Sequence, residues 1–595
     1  MRFFASFVVS AVCLLAAGTA SAGSKGVFDG PAELPRITVA SSMADTPAPG
    51  SLVTVRSGDN LQAVINNAFC GDTIELEAGA VFAGIFSLPA KRCDDAHWII
   101  IRTSAPDTLL PAEGTRLTPC YAGVASLPGR PVYACANPQN VLARIENNTT
   151  AEGPLVLRDG ANHYRLLGLE ITRTAGLRHA PGLVELEPRG IADHIIVDRS
   201  WLHGTTHDET QVGVSLSGMS TAAVIDSYFS DFHCTYRTGA CTDAHAVGGG
   251  LGSHQDGPFK ISGNFLEASG EAVMFGGGAA TLTPADIEIR RNHFFKPLTW
   301  MPGNPDFVGG DGRKPFIVKN HLELKNATRV LVEANIMENN WGGFTQSGYA
   351  VLLSPKNQHT KHHGNVCPRC QVTDITLRYS YIAHSGSGIQ MATSISGSRG
   401  NGGPALAGER WSIHDVVLED INKNYTGGGN LFLIMNGWTR NPVNTITISH
   451  VTGFPDVEGH LALFGNDRRD PEMFGLVFSN NLVATGRYPV WSSGGGLSSC
   501  AAKGTPARKI SKCFSSYTFR NNALIGTPDA FPPSSWPAGN LFPASMKAVD
   551  FDNQAGGDVA DYQLQPKSPY RNAGTDGRDL GADIPGLVTA LADVE

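Results

Sequence analysis

The stretch FIVKNHLELKN, Phe316 to Asn326, sets Lys319, His321, Glu323 and Lys325 two residues apart. Phe316, Val318, Leu322 and Leu324 fall on the opposite parity, with Asn320 among them. Successive side chains of a β-strand point to opposite faces. The alternation therefore predicts an apolar set turned inward and a row of two ammonium groups, an imidazole and a carboxylate turned to water. Lys319, His321 and Lys325 are candidate bases for taking a proton from carbon, and their cationic forms can neutralise a substrate carboxylate. A solvated strand in which Glu323 merely pairs with Lys325 would show the same pattern.

Neighbouring segments weigh on that choice. Aligning HLELKN with the later VLLSPKN by their Lys-Asn ends places Leu322 over Leu353, Glu323 over Ser354 and Lys325 over Lys356. Two lysines about 5 Å apart repel by about 3 kcal/mol at an effective dielectric of 20. Such a stack calls for an anionic partner or lowers the pKa of one lysine. Further polar groups for holding a ligand come from His254 and Asp256 in SHQDG, Glu271 in GEAVMFGGG, Gln358 and Gln390. Glu323 and Glu271 together offer oxygen ligands for Ca²⁺.

The element that positions these residues is a repeat. Three alternating β-formers, a polar pair and another apolar pair recur in HIIVDRSWLHG, AAVIDSYFSDF, FKISGNFLEAS, IEIRRNHFFKP, VLVEANIMENN, ITLRYSYIAHS, ITISHVTGFPD, LVFSNNLVATG and YTFRNNALIGT. The copies start roughly 28 to 44 residues apart, the length of one solenoid turn with loops of varying size. Ser200, Ser227, Asn264, Asn292, Asn335, Ser380, Asn481 and Asn522 share one place in the repeat. A short polar side chain suits a bend between strands and tolerates left-handed φ, so these residues are expected to stack as an internal ladder. A second strand set (GVSLSG, EAVMFGG, KNHLELKN, YAVLLSPKN, SGIQMAT, NLFLIMNG, HLALFGN) lies between the copies. Two strands per turn, glycine-rich corners and no room for crossover helices predict an all-β parallel solenoid of about ten turns.

The entry VTVRSGDNLQAVINNAFCGDTIELEAGAVFAG, with a short helix from Leu61 to Phe69, and the ending YQLQPKSPYRNAGTDGRDLGADI resemble right-handed parallel β-helix proteins of the pectate-lyase-like superfold. The resemblance covers roughly residues 51 to 585. It implies a helical cap at the N-terminal end, a closing C-terminal segment, and a polysaccharide chain lying across one sheet. The lyases, hydrolases, esterases, epimerases and adhesins of that superfold leave the activity open. The paired aspartates and Gly-His-Gly of polygalacturonases are missing, as is the Arg-x-Pro-x-x-Arg of pectate lyases. GEAVMFGG is similar to the acidic strand of the chondroitinase-B-like and alginate-lyase β-helices, without the Lys-Ser motif that follows it there.

Residues 1 to 22 read as a secretory signal: Arg2, the apolar FFASFVVSAVCLLAA, then Ala20-Ser21-Ala22. A linker over 23 to 50, the β-helix over 51 to 564 and a closing segment over 565 to 595 complete the expected organisation. No later segment is apolar enough to span a membrane. The ten remaining cysteines fall into local pairs, expected as Cys70–Cys93, Cys120–Cys135, Cys234–Cys241, Cys367–Cys370 and Cys500–Cys513. A net charge of -8 speaks against non-specific nucleic-acid binding. Weaker candidates for ligand or metal binding are His203 with His207, the tract His359, His362 and His363, and Asp576, Asp579 and Asp583. Trp300, Trp341, Trp411, Trp438 and Trp491 are expected to pack rather than stack on ligand.

The sequence thus predicts a secreted, monomeric polysaccharide lyase acting on an acidic, uronate-containing glycan. Lys319, His321, Glu323 and Lys325 would be its catalytic row, with His254, Asp256, Glu271, Lys356, Gln358 and Gln390 holding substrate. A glycoside hydrolase on the same scaffold, needing two carboxylates across the scissile bond, and a non-catalytic glycan-binding surface protein are the alternatives.

Overall fold

The computed structural model describes residues 26–254, 257–357, 366–395, 405–437, 441–466, 471–494, 496–553 and 556–595. The expected N-terminal signal therefore lies outside the described residues, as do Asp256, Gln358, the His359–His363 tract and Trp438.

Nearly every strand pairs in parallel with a strand one coil away, and a short N-terminal pairing of Phe28–Asp29 with Ala32–Glu33 runs antiparallel. The chain winds as a right-handed parallel β-helix, the hand that parallel crossovers take. One large sheet joins two strand rows. One row follows Ala192–Asp198, Met219–Ile225, Phe259–Ser262 and Ala285–Arg290, and the other follows Trp201–His203, Tyr228–Phe232, Phe265–Ala268 and His293–Phe295. The third row is a separate 13-stranded sheet that carries Val273–Phe275, Leu322–Leu324 and Tyr349–Leu353 side by side. Each full coil thus contributes three strands where the sequence pattern suggested two. The corner after each copy of the repeat bends the chain sharply and splits it into two strands that one apolar pattern runs through.

The corner ladder forms. Oγ of Ser200 and Ser227, and Oδ1 of Asn264, Asn292 and Asn335, each accept the backbone N–H of the coil before, at 2.9–3.2 Å. Ser380 continues the run, and Asn481 and Asn522 repeat it further on. All eight are buried. The left-handed φ falls on the residue before each rung, such as Arg199, Asp226, Arg291, Ala334 and Tyr379, rather than on the rung itself. The preceding residue makes the bend, which turns the next side chain inward to bond the neighbouring coil. Val416 and Val451 occupy two rungs and interrupt the ladder.

Leu322, Leu324, Val351, Leu353, Ile389 and Met391 all enter the main core. Val318 joins a satellite cluster with Trp300, Phe316 and Trp341 instead. The helix Leu61–Asn67 buries Leu61 and Ile65 in the main core. Residues 26–42 run back along the solenoid, pinned where Asp29 meets Arg378 at 2.6 Å, Arg36 N–H meets Asp286 at 2.9 Å and Ser41 O meets Arg165 at 3.0 Å. The C-terminal helix Ile584–Leu591 packs on the flank beside Tyr381 and Val417. All five expected disulfides are present. Trp300, Trp341 and Trp411 are buried, whereas Trp491 is half exposed.

Asn292 tests the ladder. Its Oδ1 accepts from the Asn264 N–H, and its Nδ2 donates to the Ile261 carbonyl at 2.9 Å. Asn292→Ala leaves both groups buried without those partners and should lower stability by about 2–6 kcal/mol, at about 1–3 for each of the two orphaned groups. The urea midpoint of unfolding reads this directly. A midpoint equal to wild type would mean the ladder contributes no stability.

Candidate acid–base cluster

The row that reads as outward is not solvated. Lys319, His321 and Glu323 are buried, and only Leu322–Leu324 forms a strand. Loops closed by Cys234–Cys241 and by the Gly342–Gly348 segment cover the row, with Tyr236 meeting Phe344 edge-on at 5.8 Å. The expectation of a wet charged strand is therefore overturned, because alternation specifies a face of the sheet and says nothing of what lies over it.

Four of the residues converge. Glu271 precedes the strand Val273–Phe275, and Glu323 lies opposite Met274 of that strand. Lys319 Nζ contacts Asp243 Oδ1 and lies 3.4 Å from Glu271 Oε1, while Lys325 Nζ lies 3.2 Å from Glu323 Oε2. His245 Nδ1 sits 3.0 Å from the Glu271 carbonyl oxygen and 3.4 Å from its Oε2. Gly277, at φ +94°, lets the chain pass within van der Waals reach of the Lys325 side chain.

Burial and the neighbouring Glu323 carboxylate push Glu271 well above the ordinary carboxyl range. Burial also penalises ionised Glu323, but Lys325 and the Glu271 carboxyl outweigh it and leave its pKa lowered. The two carboxyls thus titrate against each other, and the proton stays on Glu271. Burial, aided by the Lys325 charge, lowers Lys319 to about 8. Burial lowers Lys356 as well, with Lys325 as the second cause. His245 is driven down to about 4 by burial and is neutral at pH 7. The cluster therefore holds a protonated acid, a carboxylate and an amine poised near neutrality, the separated pKa values that acid–base chemistry needs.

The other sequence candidates divide. His321 does not join the row: it turns to the inner side against Phe294, at 6.1 Å, where burial, aided by the Lys296 charge, pushes its pKa well below normal. It precedes the strand at a corner, where alternation no longer dictates direction. The register of the next coil also differs from the Lys-Asn alignment, with Leu322 opposite Val351 and Glu323 opposite Leu352. Pro355 has no N–H to add to the ladder, and the register slips there. The Lys356 N–H still donates to the Lys325 carbonyl at 3.2 Å, so the two lysines remain neighbours. Gln390 lies one strand beyond Leu352, with Nε2 on Ser354 Oγ at 3.3 Å. His254 is exposed in the loop after the strand His245–Gly249. His203 pairs with Glu170 at 3.0 Å and His207 with the Gly309 carbonyl at 2.8 Å, so they form no joint site.

Three contributors escape a reading of one strand. Asp243 and His245 come from the coil before; matching HAV of 245–247 to EAV of 271–273 would have set His245 beside Glu271. Lys296, fully buried, donates to the carbonyls of Ala268, Gly270 and Asn320 at 2.9–3.0 Å. It thereby clamps the segments that lead into Glu271 and out of Lys319. Calcium does not fit this arrangement. Ca²⁺ takes six to eight oxygens, whereas here Glu323 is paired with Lys325 and Glu271 keeps its proton.

No protein-family model matches the chain, and no curated protein matches it either. Among solved structures the chain is similar to a PL6 family polysaccharide lyase from Pseudopedobacter saltans, at 10% identity over 89% of this chain and 99% of that one, with a TM-score of 0.39. It is also similar to an alginate lyase from Paenibacillus sp. FPU-7, at 13% identity over 74% and 98%, TM-score 0.32. A third is the catalytic domain of a GH87 α-1,3-glucanase, at 8% identity over 82% and 70%, TM-score 0.44. No residue role is transferred from likenesses of this degree.

The raised pKa of Glu271 makes a pH prediction. A carboxyl whose folded pKa exceeds its unfolded value stabilises the fold below the unfolded pKa, near 4.5, and that contribution is lost as pH climbs through the folded value. Glu271→Gln cannot ionise and should escape the loss. Urea midpoints of wild type and variant at pH 5 and pH 8 should shift relative to each other in favour of the variant at pH 8. A pH-independent difference would place the Glu271 pKa in the ordinary range.

Proposed function

We propose that the protein is an exported polysaccharide lyase that cleaves a uronate-containing glycan by β-elimination at the Lys319–Glu271–Lys325 cluster. The observation that carries the reading is Lys319, an amine lowered to about 8 by burial beside an acid that keeps its proton. Neutral Lys319 takes the C5 proton of the uronate. Lys325 and Lys356 offset the negative charge that builds on the substrate carboxylate. As the C4–O4 bond breaks, Glu271 delivers its proton to the departing O4, and the new double bond forms between C4 and C5. Substrate entry requires the Tyr236–Phe344 contact above Lys319 to part; Lys319 Nζ lies 5.7 Å from the Phe344 ring. Five disulfides agree with an oxidising destination, and among the described residues no helix is long and apolar enough to cross a membrane.

The hydrolase reading is weaker. Hydrolysis by a carboxylate pair needs about 5–10 Å between an acid and a free carboxylate, and the Glu323 carboxylate is paired with Lys325 at 3.2 Å.

Incubation with a panel of uronic and neutral polysaccharides, scoring unsaturated products and reducing ends separately, tests the proposal. Unsaturated ends should appear with a uronate polymer, and the rate should rise with pH through about 8 as Lys319 loses its proton. Lys319→Ala and Glu271→Gln should each lose about 100- to 10,000-fold in kcat. Reducing ends without unsaturation would establish a hydrolase, and binding without turnover on every glycan would establish a binding protein.

A further inference from the structure

Far along the chain from the acid–base cluster, Asp95, His163 and His194 come together from three coils. Among the described residues they form the one group of three ligand-type side chains whose donor atoms lie within 4.8 Å of one another. Asp95 Oδ1 is 3.2 Å from His163 Nε2 and 3.6 Å from His194 Nε2.

The hydrogen bonds around the rings fix their tautomers. The amide nitrogen of Asn162 already donates to the carbonyls of Lys91 and Gly160, at 2.7 and 2.9 Å, so its Oδ1 is the atom that faces His163 Nδ1 at 3.0 Å. His194 Nδ1 faces the Asp193 carboxylate, which can only accept, at 2.9 Å. Both Nδ1 atoms must therefore carry protons. In the neutral rings both Nε2 atoms then present lone pairs, and they present them to the same carboxylate oxygen. With neither Nε2 protonated, three acceptors face one another and repel; a single ring protonated at Nε2 and bonded to Asp95 Oδ1 at 3.2 Å, or a cation bound among the three, relieves this. Protonating both rings would stack two imidazolium ions with centroids 4.3 Å apart. A histidine whose far nitrogen is anchored by a side-chain oxygen, leaving the other nitrogen free and aimed, is the usual support of a metal ligand.

The dimensions agree. A tetrahedral zinc ion with bonds of about 2.0–2.1 Å separates its ligand atoms by about 3.4 Å, between the two distances found here. We propose that Asp95, His163 and His194 bind a divalent first-row transition ion of the zinc type, with one coordination position left to water. The rings lie parallel, at an interplanar angle of 4°, so ion capture opens the stack as each ring turns about its Cβ–Cγ bond. Asp95 is exposed and His194 partly so, and both rings lie edge-on to Trp98, His163 at 5.0 Å and His194 at 6.0 Å. An ion there would tie the segment after the Cys70–Cys93 staple to two later coils.

Calorimetric titration of the full chain with zinc chloride, after chelator treatment and dialysis, tests the site. Wild type should take up one equivalent at pH 7.5, and its affinity should fall at pH 5.5 as protons compete for Nε2. Asp95→Asn, at an exposed position that leaves the fold intact, should weaken binding at least tenfold, and His163→Gln with His194→Gln should abolish it. Cobalt in place of zinc should give a visible spectrum that the double variant lacks. Absence of saturable uptake by wild type would overturn the proposal. So would unchanged affinity in the double variant or in Asp95→Asn, which would assign the ion elsewhere, for instance to His359–His363.

Discussion

Everything in this molecule hangs on hydrogen bonding from one coil to the next. A parallel β-helix has no local pairing to fall back on: each N–H finds its acceptor roughly one coil away, across some 30 residues of chain. The bends are where that arrangement would fail, since a turning backbone drops out of the sheet. The Ser and Asn rungs take over there, each side chain replacing the carbonyl that the bend withdraws. Where Val416 and Val451 break the run, the strands that carry them, Ala407–Ile421 and Asn444–Pro455, pass unbroken through the corner and pair there with each other. The sheet itself supplies the pairing that the ladder supplies elsewhere.

The same stacking explains how the acid–base cluster can exist. Buried charges are tolerated only when paired, and stacking brings Asp243, Glu271, Glu323, Lys319 and Lys325 from successive coils close enough to neutralise one another. The loops above them exclude water, which drives Glu271 and Lys319 toward their neutral forms. Burial and pairing act in opposite directions on each group, and the balance leaves an acid and an amine with shifted pKa values in one volume. Lys296 contributes from beneath: by joining three carbonyls it holds the corners on both sides of the cluster in register. A flat wet sheet bearing the same residues would leave their pKa values near normal and their positions loose.

What the sequence determined by itself is whatever recurs. The strand pattern, the eight polar rungs and the five local cysteine pairs repeat at fixed places or close short loops, so periodicity and spacing suffice to place them. Glu271, Glu323, Lys319 and Lys325 were legible as one neighbourhood because their coils are adjacent in order. The tertiary structure alone decided the rest. It split His321 from its row at a corner, slipped the register at Pro355, and covered the charged strand with loops that alternation cannot foresee. It also brought Asp95, His163 and His194 together from three coils, where no spacing in the sequence marks them. Loop lengths set which coils become neighbours and what lies above each sheet. Those lengths vary from coil to coil, so the positions they control follow no period.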